Sequence, residues 1–383
     1  MLNIQDYCLA HNIWNGILKY VQDQKKQYHN VLTDSFTEDE LLKELKKNAR
    51  KVLPAKEYDT FRKAVTALKK GKTYSLKKEN LYRLCYALEL KSDTQAQNLF
   101  LNYLHLNELS ARSLEEFIII AALKLQLTWE EMCQIRETFQ SQIRSQPISP
   151  EDLEEGKTAE VYQQVINEQL HSKEDLLTFL EHPENISFFT KTRNTQYLGL
   201  FDDLELEVIY NASNDQMIKL ITNYGNSEKE TIQEYYFSLF GLQSDNSDDS
   251  LSENEISLLG DKFEDIFMSY DNFCALVQRK RPVDISSGIF MLNLLKKLLT
   301  DDADADHDFY VNFMDPEEFI EICNDILIYF GLPVLNPECD SFDHLLLDVY
   351  HETLNENPTA SNSNFQQLYI TNLRNYLRKI ATT

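Results

Sequence analysis

The chain has 383 residues, only 9 glycines and 9 prolines among them, and a formal net charge of −25. Ordinary usage is about 7% Gly and 5% Pro, so folds that turn tightly between strands or cradle phosphates in glycine loops are disfavoured, because glycine alone accepts positive φ freely. Six scattered cysteines without a CxxC pair argue against a disulfide scaffold or a cysteine zinc site, and the longest apolar run, residues 117–123, is far short of the ~20 residues of a membrane helix.

The remaining class is all-α: an N-terminal helix-turn-helix-like helical domain followed by a multi-helix body. The charge is segregated along it. Residues 41–83 hold 14 Lys/Arg against 4 Asp/Glu, a net +10, while residues 1–40 carry −3 and residues 84–383 carry −32. A basic block therefore sits on an acidic body.

Residues 1–36 read as an N-terminal helix. The opening Met1-Leu2-Asn3-Ile4-Gln5-Asp6 has neither a basic n-region nor an apolar h-region, so the expected location is cytoplasmic, with free thiols. The next domain, residues 37–145, is punctuated by helix starts. Thr37-x-x-Glu40, Ser92-x-x-Gln95, Ser113-x-x-Glu116 and Thr128-x-x-Glu131 all fit a capping box. Residues 37–104 read as a run of short helices over 37–52, 55–70, 75–89 and 92–103, with Gly71 ending the second.

Apolar spacing supports these helices. Leu41, Leu42, Leu45, Ala49 and Val52 mark one face of the first, while Leu81, Leu84, Cys85 and Leu88 follow i, i+3, i+4, i+7 in the third. Leu84 and Leu88 are thus expected in the core. Arg62, Lys63, Thr66, Lys69 and Lys70 recur at i, i+1, i+4, i+7, i+8, one continuous polar stripe on the second helix.

Residues 145–150, with Pro147 and Pro150, read as a linker. A middle helical domain follows over 151–242, where the alternating stretch 204–210 is still read as helix. Residues 243–255 are acidic and Ser/Asn-rich, which predicts a mobile loop. The C-terminal helical domain spans 256–383. It contains Phe319, Ile322, Cys323, Ile326 and Phe330 at helical spacing after Asp315-Pro316, a loop at 358–364 and a final helix over 365–380.

Chemistry-bearing motifs are missing. Asp302-x-Asp304-x-Asp306 has the opening of a calcium loop, but its sixth position is His307 rather than Gly and its twelfth is Phe313 rather than Glu. A solvated acidic loop is the better reading, with no metal site. No phosphate-binding glycine loop, HExxH or GxSxG occurs, and the histidines sit in ordinary helical or loop contexts. The expectation is a non-enzyme without cofactor.

The segment Ala64-Val65-Thr66-Ala67-Leu68-Lys69-Lys70-Gly71-Lys72, leading into Ser75-Leu76-Lys77-Lys78-Glu79-Asn80-Leu81-Tyr82-Arg83-Leu84-Cys85-Tyr86-Ala87-Leu88-Glu89-Leu90, resembles the second half of a lambda-repressor-like (Cro/XRE-type) domain. The first half departs from that pattern, with Leu53-Pro54-Ala55 where the tight turn should lie. The resemblance implies that Arg62, Lys63 and Thr66 lie on the exposed face of a recognition helix, while Lys69, Lys70, Lys72, Lys77 and Lys78 track the phosphate backbone.

Further stretches extend the likeness. Leu114-Glu115-Glu116-Phe117-Ile118 with Leu127-Thr128-Trp129-Glu130-Glu131, then Lys191-Thr192-Arg193-Asn194, and Cys323-Asn324-Asp325-Ile326-Leu327 through Gly331-Leu332-Pro333-Val334-Leu335 to Phe342-Asp343 together resemble a family of helical proteins from gut Firmicutes, which implies no particular activity. The expectation is a regulatory or adaptor protein docking on DNA through residues 41–83. The alternative is a protein-interaction scaffold whose basic block meets an acidic protein face. Neither involves a membrane.

Overall fold

A computed structural model describes residues 13–29, 36–72, 76–104, 106, 109–144, 159–200, 251–262, 320–321, 323–325, 327, 334–335, 341–356 and 362–382. All regular structure among them is helical, with no strand, as an all-α chain requires. The proline-marked segment 145–150, the stretch 204–210 and the Asp302–Asp306 triplet lie outside the described residues. The chain divides into two compact units, Cys8–Asn194 and Thr195–Thr383, the latter with Met1–Tyr7.

The first unit contains α1 (Ile13–His29), α2 (Glu38–Val52), α3 (Ala55–Lys69), α4 (Lys78–Ala87) and α5 (Asp93–Asn98), which runs into a π-helical segment, Leu99–Leu104. It continues with α6 (Leu114–Leu125), α7 (Trp129–Arg144), α8 (Ala159–Glu168), α9 (Lys173–Glu181) and α10 (Pro183–Leu200), whose end runs past the division. Two helices are central. Every residue of α4 from Asn80 to Ala87 is buried, as is α6 from Glu116 to Leu123. One hydrophobic core links Ile13 through Leu84, Phe117 and Trp129 to Phe189. Burying each large apolar side chain contributes about 1.5–3 kcal/mol.

Of the four capping boxes expected from the sequence, two are complete. Thr37 and Thr128 form full capping boxes with Glu40 and Glu131. Ser92 accepts from Gln95 N at 3.2 Å, yet the Gln95 side chain takes the amide of Lys91 instead. Ser113 makes no side-chain cap, because Glu116 turns inward to the Ser110 amide at 2.5 Å and to Lys78. Leu84 is fully buried as expected, whereas Leu88, at the C-cap of α4, is only half-buried.

Helix ends also follow chain geometry. At the end of α3, Gly71 has φ +64°, with Gly71 N donating to Leu68 O and Lys72 N to Ala67 O, both at 3.0 Å. This is the Schellman arrangement, and glycine meets its left-handed requirement without strain.

In the second unit, α11 (Glu253–Lys262), α12 (Ser341–Glu356) and α13 (Asn362–Thr382) are described. The final helix is longer than the 365–380 expected. α13 packs on both others: Tyr369 donates to Leu346 O at 3.0 Å, Asn372 to Thr353 at 3.0 Å, and Arg378 pairs with Glu255 at 3.5 Å. The mobile loop expected over 243–255 is corrected at its end. Ser252 and Glu255 form a complete capping box for α11, with bonds of 2.7 and 3.3 Å, and Leu251 is buried. Residues 243–250 lie outside the described residues.

Candidate nucleic-acid interface

α2 and α3 are joined by two residues, Leu53 and Pro54. Leu53 is extended, at φ −106° and ψ 142°, because the proline ring disfavours helical geometry in the residue before it. The chain turns back, and Lys69 near the end of α3 returns to pair with Asp39 in the first turn of α2. Leu41, Leu45 and Ala49 of α2 and Phe61, Val65 and Leu68 of α3 point into the core. Their polar residues are left facing outward.

That outward face is basic. On α2, Lys43, Lys46, Lys47 and Arg50 recur at i, i+3, i+4, i+7, one stripe in which Lys46 alone is partly buried. The ammonium of Lys46 is held below its usual pKa, first by this burial and then by the nearby charges of Arg62, Lys69 and Lys70 on α3. Lys46 thus lies near Arg62 and Lys69 of α3 and Lys70 at its C-cap, and of these Arg62 and Lys69 already hold carboxylates, Asp59 and Asp39. Lys46 was not among the residues expected from the sequence. The signal that points to it is the spacing of the α2 lysines rather than the repressor-like pattern on α3.

The predicted residues divide into groups. Arg62 donates to Asp59 at 2.6 Å, and Lys63 pairs with the same carboxylate at 2.7 Å. These bonds hold the Asp59 carboxyl below its usual range. Thr66 donates to the Arg62 carbonyl at 2.6 Å. Lys69 is mostly covered and paired with Asp39. Lys70 and Lys72 are exposed beside the turn at Gly71. Lys77 occupies the N-cap position of α4 and is exposed. Lys78 reaches Glu116, a contact that offsets its unfavourable position at a helix N-terminus. Lys78 is therefore committed to the interior side rather than to the outward stripe.

The acids of the basic block are mostly used elsewhere. Glu44 pairs with Lys25 of α1 at 2.7 Å. Glu57 receives Arg83 at 2.8 Å, and Glu79 receives Arg136 of α7 at 2.8 and 2.9 Å. Arg83 is buried, also donates to Asn80 at 2.7 Å, and lies 5.7 Å from the Trp129 ring centroid. Glu115 of α6 joins through Arg136 at 3.1 Å. This network ties α3, α4, α6 and α7 together. The acids beside the outward stripe are Asp59 on α3 and the exposed Glu38, Asp39 and Glu40 in the first turn of α2, where Glu40 lies near Lys43.

Reactive chemistry finds little support around this network. Burial pushes the Cys85 thiol up to about 12 and the Cys133 thiol up to about 11, so both are protonated at neutral pH. Tyr86, its ring edge-on to Trp129 at 5.2 Å, is likewise pushed up by burial. Among the described residues no group of three His, Cys, Asp or Glu side chains is arranged to hold a metal ion. No helix among them is long and apolar enough to cross a membrane. No protein family, curated protein or solved structure gives a significant match to the chain.

Proposed function

We propose that this chain is a regulatory or adaptor protein that docks on DNA through the face shared by α2 and α3. The observation that carries the reading is the gathering of Lys46 with Arg62, Lys69 and Lys70 from two helices, continued by Lys43, Lys47 and Arg50 along α2. Crowding like charges costs free energy in the unbound protein, and a polyanion relieves that cost. Each phosphate a cation neutralises releases condensed counterions, so affinity falls steeply with salt. The repressor-like pattern over residues 64–90 points the same way.

One observation favours a second occupant. Asp39 and Asp59 already sit on Lys69, Arg62 and Lys63, so the face accepts carboxylates, and an acidic protein surface would present the same groups. Titration of a labelled 20-base-pair duplex by fluorescence anisotropy separates the two. Wild-type protein is expected to bind at low salt with a steep log–log salt dependence. Lys46→Glu/Lys70→Glu is expected to weaken binding and flatten the slope by about two units, with an unchanged helical circular dichroism spectrum. Absence of wild-type binding at low salt would overturn the DNA reading.

A further inference from the structure

Resting on that reading, we infer that Asp39 and Asp59 are resident counter-ions of the α2–α3 face, which hold three of its cations and which DNA phosphates have to displace. The ion pairs of the basic block fall into two kinds. Those turned inward are fixed: Arg83 with Glu57, Arg136 with Glu79 and Glu115, and Lys78 with Glu116 each contain a largely covered charge. An incoming anion could replace such a carboxylate only by stranding a charge away from water.

The outward pairs are of the other kind. Asp59 holds Arg62 through one oxygen at 2.6 Å and Lys63 through the other at 2.7 Å, and all three side chains are partly or well exposed. Asp39 pairs with Lys69 across two helices. There the lysine side chain is 19% exposed and the carboxylate 88%, so the anion is the outer member of the pair. Lys43, Lys47 and Lys70 are exposed on the same face and make no ion pair among the described residues.

Exposed ion pairs contribute little to stability, so their anion exchanges at little cost. The exchange still reduces what binding gains. A phosphate that meets an unpaired ammonium releases its condensed counterion outright. A phosphate that displaces Asp39 or Asp59 returns a carboxylate to solvent, where it attracts a cation of its own, and the net release is smaller. The two carboxylates thereby set the affinity of the face and its response to salt, without touching the DNA.

The test is fluorescence anisotropy of a labelled duplex with full-length protein over a range of salt, each variant first checked for an unchanged helical circular dichroism spectrum. Asp59→Asn and Asp39→Asn are each expected to tighten binding several-fold and to steepen the log–log salt slope by about one unit. Glu38→Gln removes the same charge from the turn that holds Asp39 without touching either pair. It is expected to change affinity by less than about twofold at physiological salt, where more distant charges are screened. In an Arg62→Gln/Lys63→Gln background, Asp59→Asn is expected to have no more effect than Glu38→Gln. Weaker binding in Asp59→Asn would overturn the inference, because the carboxylate would then be orienting Arg62 and Lys63 for the DNA. So would an unchanged slope in either aspartate variant, an equal gain in Glu38→Gln, or a gain that persists without Arg62 and Lys63. Each of these outcomes leaves DNA docking intact. If wild-type protein binds no duplex at low salt, the docking reading itself falls and the inference with it.

Discussion

Arg136 of α7 holds both carboxylate oxygens of Glu79 on α4, at 2.8 and 2.9 Å. The pair fastens the basic block to the helices that follow it, and the same guanidinium also reaches Glu115 of α6 at 3.1 Å. The Arg136 side chain is only 13% exposed, and Glu79 and Glu115 are 32% and 12% exposed. Removing the cation takes from Glu79 its bidentate partner, leaving Arg83 at 3.7 Å, and takes one partner from the largely covered Glu115. Arg136→Ala is therefore expected to cost about 3 kcal/mol, the low end of the range for breaking a buried pair, because Glu79 retains some solvent. Urea unfolding measures this, and a double-mutant cycle with Glu79→Ala isolates the pair. A coupling energy below about 0.5 kcal/mol would mean that the contact behaves like a surface ion pair.

Gly16 on α1 marks a close approach. A Cβ built there would lie 2.0 Å from the carbonyl oxygen of Tyr103 in the π-helical segment. Around this contact the Tyr20 and Tyr103 rings meet edge to face at 5.1 Å, and Tyr103 donates to Asp23 at 3.1 Å. Gly16→Ala has to push backbone away, since the two nearest atoms are the main-chain O and C of Tyr103 and the Leu104 side chain lies farther off at 3.3 Å. The expected loss is at the upper end of the ~1–3 kcal/mol of overpacking, despite the better helix propensity of alanine. Thermal unfolding checks it. A variant as stable as wild type would show that α1 is not seated on this segment.

Helix positions and outward faces were legible because local rules set them. Thr37, Thr128 and Gly71 did at the helix ends what their residue types require. The interior roles of polar residues were not legible. Asn80 and Arg83 interrupt the apolar spacing of α4 and look solvent-facing, yet both are buried, because Glu57 of α3 and Glu79 of α4 receive Arg83, which in turn donates to Asn80. Glu116 likewise leaves its cap for Ser110 and Lys78. The pairings of Arg83 with Glu57 and of Arg136 with Glu79 span 26 and 57 residues of sequence, so no local pattern announces them. For the interface, the stripe on α3 could be read from spacing. The contribution of Lys46 depends on how α2 docks beside it.

Two helices end on left-handed residues that are not glycine: Glu89 at φ 54° after α4 and Gln126 at φ 55° after α6. Each closes a Schellman pair, with Leu90 N donating to Cys85 O at 3.1 Å and Leu127 N to Ala122 O at 2.9 Å. A side chain there costs about 1–2 kcal/mol, and glycine gives back about 0.5–1 kcal/mol through the entropy of the unfolded chain. Glu89→Gly and Gln126→Gly are each expected to stabilise the protein by several tenths of a kcal/mol up to about 1 kcal/mol. The two sites share no hydrogen bonds, so the double variant should show the sum in urea midpoints. Destabilisation by either change would mean that its side chain makes a contact worth more than the strain.

Glu131 provides a pH-dependent link between α7 and α9. Its carboxylate accepts from Lys173 at 2.9 Å and from the amide and hydroxyl of Thr128 at 3.0 and 2.9 Å. The Lys173 bond first, then the two from Thr128, hold the carboxyl down at about 2, against an ordinary 4.5. In the unfolded chain the group takes its proton near the ordinary value, while the folded chain resists until near 2. Between those values the unfolded state binds more protons, so stability rises with pH across the window. The contribution is complete above about pH 4.5 and is lost as pH falls towards 2. Comparing wild type with Glu131→Gln removes the background of other carboxylates. The difference in Tm is expected to be largest near pH 6 and to close progressively between pH 4.5 and 2. Lys173→Met removes the largest cause of the depression and should show the same pH signature. A difference between wild type and Glu131→Gln that stays constant across the window would mean that the carboxylate acts only as a neutral acceptor in the cap, with its charge contributing nothing to the packing of α9.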